Sequence, residues 1–488
     1  MYSLDDTIAA ISTPIGEGGI GIVRMTGPEA ADILLRLFSP GPGDPAPNPQ
    51  SLASDGSTTP AKILQPRTLH YGHIIEPDTG ESVDEVLVVH MPAPRTYTRQ
   101  DVVEINGHGG FVALQRIQAL CLRQGARHAE PGEFTARAFL NGRLDLAQAE
   151  AVLDVVQAKT EVSLQAAVGQ LAGQLSDQVQ SVRANLMNVL AYLEASIDFA
   201  EDEIPERDIG PDLQDARARL LCLLSDADRG IIYRQGVRTA IIGRPNVGKS
   251  SLLNRLLRTS RAIVTDIPGT TRDTLEETLN LQGIPVVLVD TAGITSETED
   301  PIERLGVERS RAALSQADLA LLVVDASQPL DSADRDIAAL VGSKPAIVVL
   351  NKIDLLETSG LCDPGPIGEG PEQEVHPHCS VLDTACIPIS ALTGDGMEDL
   401  ESAIVATVLV GQVKATEAPL VTNPRHKEGL SRALDHVEAA QFGHSTGQLA
   451  DMLAVDVTAA VNALGEITGQ TASEDLLETI FGDFCIGK

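Results

Sequence analysis

The sequence predicts a multidomain α/β and α fold: an N-terminal α+β unit, a central helical bundle, and an α/β domain with a mostly parallel sheet inserted into that bundle. Three observations carry this prediction. Residues 243–250, GRPNVGKS, stand between a β-branched run at 237–242 and a helical pattern at 251–257. Apolar, β-branched runs at 238–242, 285–289, 320–324, 346–350 and 386–389 alternate with helical segments, the pattern of a sheet covered on both faces. Leu- and Ala-rich stretches at helical spacing, nearly free of proline, flank this region on both sides and must bury their apolar stripes against one another.

At 488 residues the chain exceeds one ordinary core. The expected boundaries are 1–122, 123–232, 233–408 and 409–488. In the first unit, 20–25 and 86–90 read as strands, and 30–37 and 110–123 as helices, the second after the flexible Gly107-His108-Gly109-Gly110. Residues 39–61 are rich in Pro, Ser and Gly and read as an exposed insertion. From Pro131 the texture changes, and 136–165 and 171–196 read as long helices that Gly142 and Gly169 only interrupt. The acidic stretch 198–208 breaks the run, and 213–232 is helical again. A second polar insertion spans 356–380. Beyond the α/β domain, 426–440 and 449–467 are helical, and 473–481 opens on Ser473-Glu474-Asp475-Leu476, just short of a Ser-x-x-Glu capping box.

The formal net charge is -33, so the surface repels nucleic acid at long range. An RNA contact therefore needs a locally basic site or a partner that supplies one. Zero Trp and few other aromatics leave little material for base stacking. Six scattered cysteines fit reduced thiols rather than a disulfide framework. No stretch has the length of a membrane span, the N-terminus has no basic secretory signal, and a cytoplasmic protein is expected. No cluster has zinc-site spacing.

Strand, glycine-rich loop and helix form the context of a phosphate-binding loop. Glycines let successive N–H groups turn inward, and the helix start adds its own unpaired donors. Gly243, Asn246, Val247, Gly248, Lys249, Ser250 and Ser251 are the expected phosphate contacts, with Lys249 reaching the β/γ-phosphates and the Ser250 hydroxyl on Mg²⁺. Thr270 and Thr271 lie in a polar stretch where a switch loop belongs, and Thr271 is expected to complete the Mg²⁺ shell. Asp290 ends an apolar run and can meet Mg²⁺ through water, while Gly293 can offer its N–H to the γ-phosphate. Asn351-Lys352-Ile353-Asp354 closes another strand. Asp354 can accept from N1–H and the exocyclic amine of guanine, a donor pair adenine lacks. Ser390 and Ala391 would close over the base. Order and spacing match a Ras-like P-loop GTPase that uses GTP.

Two points stay open on local chemistry. Asn246 can coordinate a monovalent cation bridging the phosphates, or it can simply stabilise the loop. Ile294 follows Gly293 where a Ras-like enzyme carries its water-positioning glutamine. A hydrophobic residue cannot orient water, so hydrolysis is either very slow or uses another residue. Glu297, Glu299, Asp300, Glu303 and Glu308 are chemically suitable.

The whole chain resembles the MnmE (TrmE) family. The resemblance rests on Asp6-Thr7-Ile8-Ala9-Ala10, Gly18-Gly19-Ile20-Gly21-Ile22-Val23-Arg24, Glu104-Ile105-Asn106-Gly107-His108-Gly109-Gly110, the stretch 131–143 (PGEFTARAFLNGR), and the terminal Phe484-Cys485-Ile486-Gly487-Lys488. It implies an N-terminal folate-binding-like domain that also forms a homodimer, and a K⁺-stimulated GTPase. With an FAD-dependent partner, MnmG (GidA), such proteins modify carbon 5 of the wobble uridine of certain tRNAs. The one-carbon unit comes from a tetrahydrofolate derivative (5,10-methylene- or 5-formyl-tetrahydrofolate). On the same ground Asn246 becomes the K⁺ ligand, Glu303 the catalytic glutamate, Cys485 the cysteine required for modification, and Arg24 a folate contact. Thr295 departs from relatives that carry Arg there. Two rival readings are a ribosome-assembly GTPase acting as an RNA-binding switch, and a scaffold with a vestigial nucleotide site. The first expects a basic RNA-binding appendage, absent from the sequence. The second is opposed by the intact Lys249, Ser250, Asp290 and Asp354.

Overall fold

A computed structural model of the chain describes residues 4–14, 16–41, 64–199, 205, 207–260, 277–289, 311, 313–356, 384–409 and 420–487. The N-terminal unit is a seven-stranded sheet built from β1 (Ile8–Ile11), β2 (Gly18–Thr26), β3 (Phe38–Pro40), β4 (His70–Ile75), β5 (Ser82–Met91), β6 (Val102–Gly109) and β7 (Arg127–His128). Its spatial order is β3-β4-β5-β6-β2-β1-β7. All pairings are antiparallel except that of β1 with β7. Helices α1 (Ala30–Leu37) and α2 (Phe111–Arg123) cover one face, where Ile33, Leu34, Leu114 and Ile117 pack on Val23, Val88 and Ile105. Strand β7 carries this sheet past residue 122. Ser39 and Pro40, expected in the insertion, belong to edge strand β3, where a proline's missing N–H costs no ladder bond. Residues 42–61 of that insertion, and residues 357–380 of the second one, lie outside the described residues.

The stretch expected as one helix over 136–165 is three: α3 (Glu133–Leu140), α4 (Leu146–Gln157) and the start of α5 (Glu161–Leu171). Gly142, at φ 68, turns the chain just past α3, a conformation glycine adopts without strain. Asp145 then opens α4 with a reciprocal capping box to Gln148, and the Thr160 side chain caps α5. Gly169 stays inside α5. The bundle continues through α6 (Gln174–Asp198), α7 (Gly210–Ser225) and α8 (Ala227–Gln235).

The α/β domain comprises β8 (Val237–Ile242), α9 (Lys249–Ser260), β9 (Glu277–Leu281), β10 (Ile284–Val289), β11 (Leu319–Asp325), α10 (Ser332–Val341), β12 (Ala346–Asn351), β13 (Cys386–Pro388) and α11 (Met397–Val408). The strand order is β13-β12-β11-β8-β10-β9, parallel throughout except for the β9–β10 hairpin. The chain then returns to the bundle as α12 (Pro424–Ser445), α13 (Ala450–Thr468) and α14 (Glu474–Gly482). Leu175, Leu186, Leu213 and Leu220 from before the α/β domain share one core with Leu430, Val437, Val457 and Leu464 from after it. The two helical segments are therefore a single packed body, and the α/β domain is an insertion in it. Ser473 caps α14 through Leu476 N–H, with a leucine where a reciprocal glutamate would stand.

Among the described residues, Cys121, Cys222 and Cys485 are free thiols, whereas Cys386 is disulfide-bonded, a departure from the expectation of reduced cysteines throughout. No described helix is long and apolar enough to cross a membrane.

Candidate functional site

The loop between β8 and α9 is shaped by close contacts that only glycine fits. Gly243 sits at φ 149, where a Cβ would stand 2.4 Å from the Val323 carbonyl oxygen. Gly248 sits at φ 99, and a Cβ there would lie 2.1 Å from Asn351 Nδ2. Between them Asn246 adopts φ 63, a left-handed conformation that asparagine tolerates better than most residues. Its side chain is exposed and makes no hydrogen bond among the described residues. Lys249 Nζ donates to the carbonyls of Gly243 at 2.8 Å and Arg244 at 2.6 Å. Burial pulls its pKa down to about 8, because desolvation disfavours the ammonium. Ser250 and Ser251 occupy the exposed first turn of α9. Arg244 fastens the loop's outer flank to the start of α10, donating to Asp334 at 2.7 Å and also to Asp331.

Asn351 joins the 243–250 loop to the segment containing Ser390 and Ala391. Its Nδ2 donates to the Val247 carbonyl at 2.8 Å, and its Oδ1 accepts from Ala391 N–H at 3.0 Å. Lys352, at φ 68, donates to Asp325 at 2.7 Å. Burial opposes ionisation of Asp325, but Lys352 and the Ser327 donors outweigh it and hold the carboxyl below its usual range. Asp354 is exposed and accepts from the buried Ser390 hydroxyl at 2.5 Å. Thr393 N–H in turn donates to Ser390 Oγ at 3.1 Å. The C-terminal ends of β8, β11 and β12 therefore bring together the 243–250 loop, Asn351, Lys352, Asp354, Ser390 and Ala391. This is where ligands bind on open parallel sheets. Thr270, Thr271, Asp290, Gly293 and Glu303 lie outside the described residues, as do Ile294, Thr295, Glu297, Glu299, Asp300 and Glu308.

Two supporting residues were absent from the sequence reading. Asp325 had a readable signal, a carboxylate ending an apolar run. Arg244 had none, because its acidic partners come from α10, some ninety residues later in the chain.

The second group of candidate residues meets on the N-terminal sheet. Arg24 on β2 pairs with Glu104 on β6 at 2.9 Å. Its Nη1 donates to the carbonyl of Gly487 at 3.3 Å, and its guanidinium lies 5.8 Å from the centroid of the Phe134 ring. The C-terminal segment is seated here. Ser12 Oγ donates to Gly487 O at 3.2 Å, Pro131 bridges Ile486, and Gly132 N–H donates to Cys485 O at 3.4 Å. Phe484 is buried with Phe481, Ala136 and Ala149. Cys485 is exposed on a backbone anchored from both sides. The structure thus brings Arg24 and the Cys485 segment together.

A family profile described as "MnmE helical domain" matches residues 146–485. Another, described as "GTP-binding protein TrmE N-terminus", matches residues 7–143. The chain is 50% identical over 484 residues to a protein of Roseiflexus sp. (strain RS-1) named "tRNA modification GTPase MnmE", covering 99% of each. Its counterpart in Chloroflexus aurantiacus is 48% identical over 486 residues, 99% of this chain and 100% of the relative. That of Carboxydothermus hydrogenoformans is 46% identical over 492 residues, with the same shares. With both profiles and full-length relatives in agreement, this chain belongs to the MnmE (TrmE) family.

Proposed function

We propose that this chain is a potassium-stimulated GTP hydrolase. With the FAD-dependent partner MnmG, it modifies carbon 5 of the wobble uridine of certain tRNAs, using a folate-derived one-carbon unit. The observation that carries the reading is the hydrogen-bonded group in which Asn351 ties the phosphate loop to the segment holding the Asp354–Ser390 pair. Its exposed carboxylate suits the two donors of guanine, which favours GTP. The relatives' shared name supplies the tRNA-modifying assignment.

In this reading Lys249 holds the β/γ-phosphates, and Gly243, Val247, Gly248 and Ser251 direct backbone donors at them. Mg²⁺ would be held by Ser250 and Thr271, with Asp290 acting through water, and K⁺ by Asn246. Ser250 stands exposed at a helix start beside Lys249, and the Asn246 amide is exposed and uncommitted, so the described donors fit both ions. When bound, these cations neutralise charge developing on the transferring phosphoryl group. Glu303 orients the water that attacks the γ-phosphorus; the β–γ bridging P–O bond breaks, leaving GDP and phosphate. Thr270 and Gly293 complete the γ-phosphate contacts, and Lys352 flanks the base. The domain roles follow the same reading: the N-terminal unit, 1–122 together with β7, for folate and homodimer formation, 233–408 for GTP, and the helices of 123–232 with 409–488 as the helical body ending in the cysteine motif. Arg24 contributes to the folate site and Cys485 to the modification, in a cytoplasmic homodimer.

Steady-state GTP hydrolysis in K⁺ and in Na⁺ at matched ionic strength tests the hydrolytic half. K⁺ should raise turnover on the order of a hundredfold, the scale of one well-placed electrostatic stabiliser. Glu303→Ala should bind GTP normally and lose that stimulation. Equal rates in both salts would remove K⁺ from the mechanism, and an unimpaired Glu303→Ala would remove the glutamate.

A further inference from the structure

Helix α4 touches both halves of the molecule's chemistry. On one face, Asp154 Oδ1 accepts from Arg234 Nε at 2.7 Å. Arg234 lies in the last turn of α8, which passes through Gly236 into β8 and so directly into the phosphate loop. Two further bonds fix the same junction. Thr160 Oγ1 donates to the Gly283 carbonyl in the β9–β10 turn at 2.8 Å, and Ser163 Oγ donates to the Tyr233 carbonyl at 2.6 Å. One turn before Asp154, Glu150 is held at its two oxygens by Asn423, Arg425 and His426 of the returning helical segment. On its neighbouring face, α4 presents Leu146, Ala149, Val152 and Leu153 to Phe481 and Phe484. Phe484 immediately precedes Cys485.

The α4–α8 joint is polar and incompletely satisfied, buried on the Asp154 side and half-buried at Arg234. Asp154 is 7% exposed, and its Oδ2 has no partner among the described residues, nor has Nδ1 of the fully buried His426. A packed apolar seam would have been the cheaper way to glue two helices. A buried carboxylate with one oxygen unsatisfied pays a standing penalty, which a second arrangement of α8 against α4 can relieve.

We propose that α4 is the element coupling the nucleotide domain to the Cys485 segment, with the Asp154–Arg234 pair as its joint. Asp154 and Arg234 are positioning residues: movement of α8 with the phosphate loop displaces α4, and α4 displaces the Phe481–Phe484 seat. The inference rests on the function proposed above and names its internal connection.

The test uses the full-length chain with its FAD-dependent partner, unmodified tRNA, folate cofactor, GTP and K⁺. GTP turnover and modified uridine are read from the same sample for wild type, Asp154→Asn, Arg234→Gln and Asp154→Glu. Asp154→Asn and Arg234→Gln should hydrolyse GTP within about twofold of wild type, while modified uridine per GTP falls on the order of tenfold, a usual size for coupling between sites. Asp154→Glu should recover most of that yield. A second readout is the rate of Cys485 alkylation by iodoacetamide, followed by peptide mass, with and without GDP–aluminium fluoride. It should respond to the nucleotide in wild type and not in Asp154→Asn. A wild-type yield per GTP in Asp154→Asn overturns the coupling. So does a joint fall of both activities with thermal stability that Asp154→Glu does not restore. If wild type makes no modified uridine, the proposed function fails, and the alkylation response still decides the coupling. A Cys485 rate indifferent to nucleotide in wild type would refute it.

Discussion

Gly248→Ala is expected to lower GTP turnover about a hundredfold or more, the scale on which an ångström of misplacement acts in an active site. The native φ of 99 already disfavours any Cβ, and the added methyl would meet Asn351 Nδ2 at 2.1 Å. Asn351 cannot retreat without breaking its bonds to Val247 O and Ala391 N–H, so one methyl disorganises the phosphate and base sides together. Gly342→Ala is the control. Gly342 shares a positive φ, at 62, but has nothing within 4 Å of the added Cβ. With ψ at -127 it lies outside the left-handed helical basin, so the change should cost about 1–3 kcal/mol of backbone strain and leave turnover unchanged. Nucleotide affinity and turnover of both variants check the claim, and a fully active Gly248→Ala would contradict the geometry of the loop.

Arg137→Ala should destabilise the N-terminal half by about 3–5 kcal/mol, the cost of stranding a buried charge. Arg137 and Glu133 both have side chains 0% exposed and pair at 2.9 Å. Arg137 also donates to the Asp6 carboxylate at 2.5 Å, to Asp6 O at 2.8 Å and to Gln100 Oε1 at 3.1 Å. Arg127 completes the cluster, reaching Asp6 at 2.6 Å and Glu133 at 2.5 Å. Burial opposes ionisation of Glu133, yet the two arginines and the Glu130 N–H together hold its carboxyl below the usual glutamate range; Asp6 is likewise held low. A depressed carboxylate contributes stability above its unfolded pKa and loses it as pH falls through the folded value. Wild type should therefore lose thermal stability steeply on acidification below about pH 4.5, and Arg137→Ala should start lower and change less. Scanning calorimetry from pH 7 to pH 3 reads both, and superimposable profiles would deny the cluster its role.

The nucleotide domain was legible in the sequence because its strands are continuous apolar runs followed, within a short loop, by residues with few alternative uses, such as Lys249 and Asp354. Strand β9 escaped notice because Glu277-Thr278-Leu279-Asn280-Leu281 is short and half polar, and only its pairing with β10 makes it a strand. The three-way division of 136–165 had local signals, the Asp145–Gln148 box and the Thr160 cap, overshadowed by a continuous helical stripe. The seat of the C-terminal segment had none. Ser12 and Gly487 are 475 positions apart, and local propensity cannot specify a contact at that separation. For the same reason Arg24 could be chosen from the sequence while its engagement with Glu104 and the Gly487 carbonyl could not.

The most direct test of the account is to supply wild type and Cys485→Ser in parallel with the FAD-dependent partner, folate cofactor, unmodified tRNA, GTP and K⁺. Wobble-uridine product and released phosphate are then quantified together. The account predicts GTP hydrolysis by both proteins and a carbon-5-modified uridine from wild type alone. Full product from Cys485→Ser, or hydrolysis by wild type without any product, would contradict it.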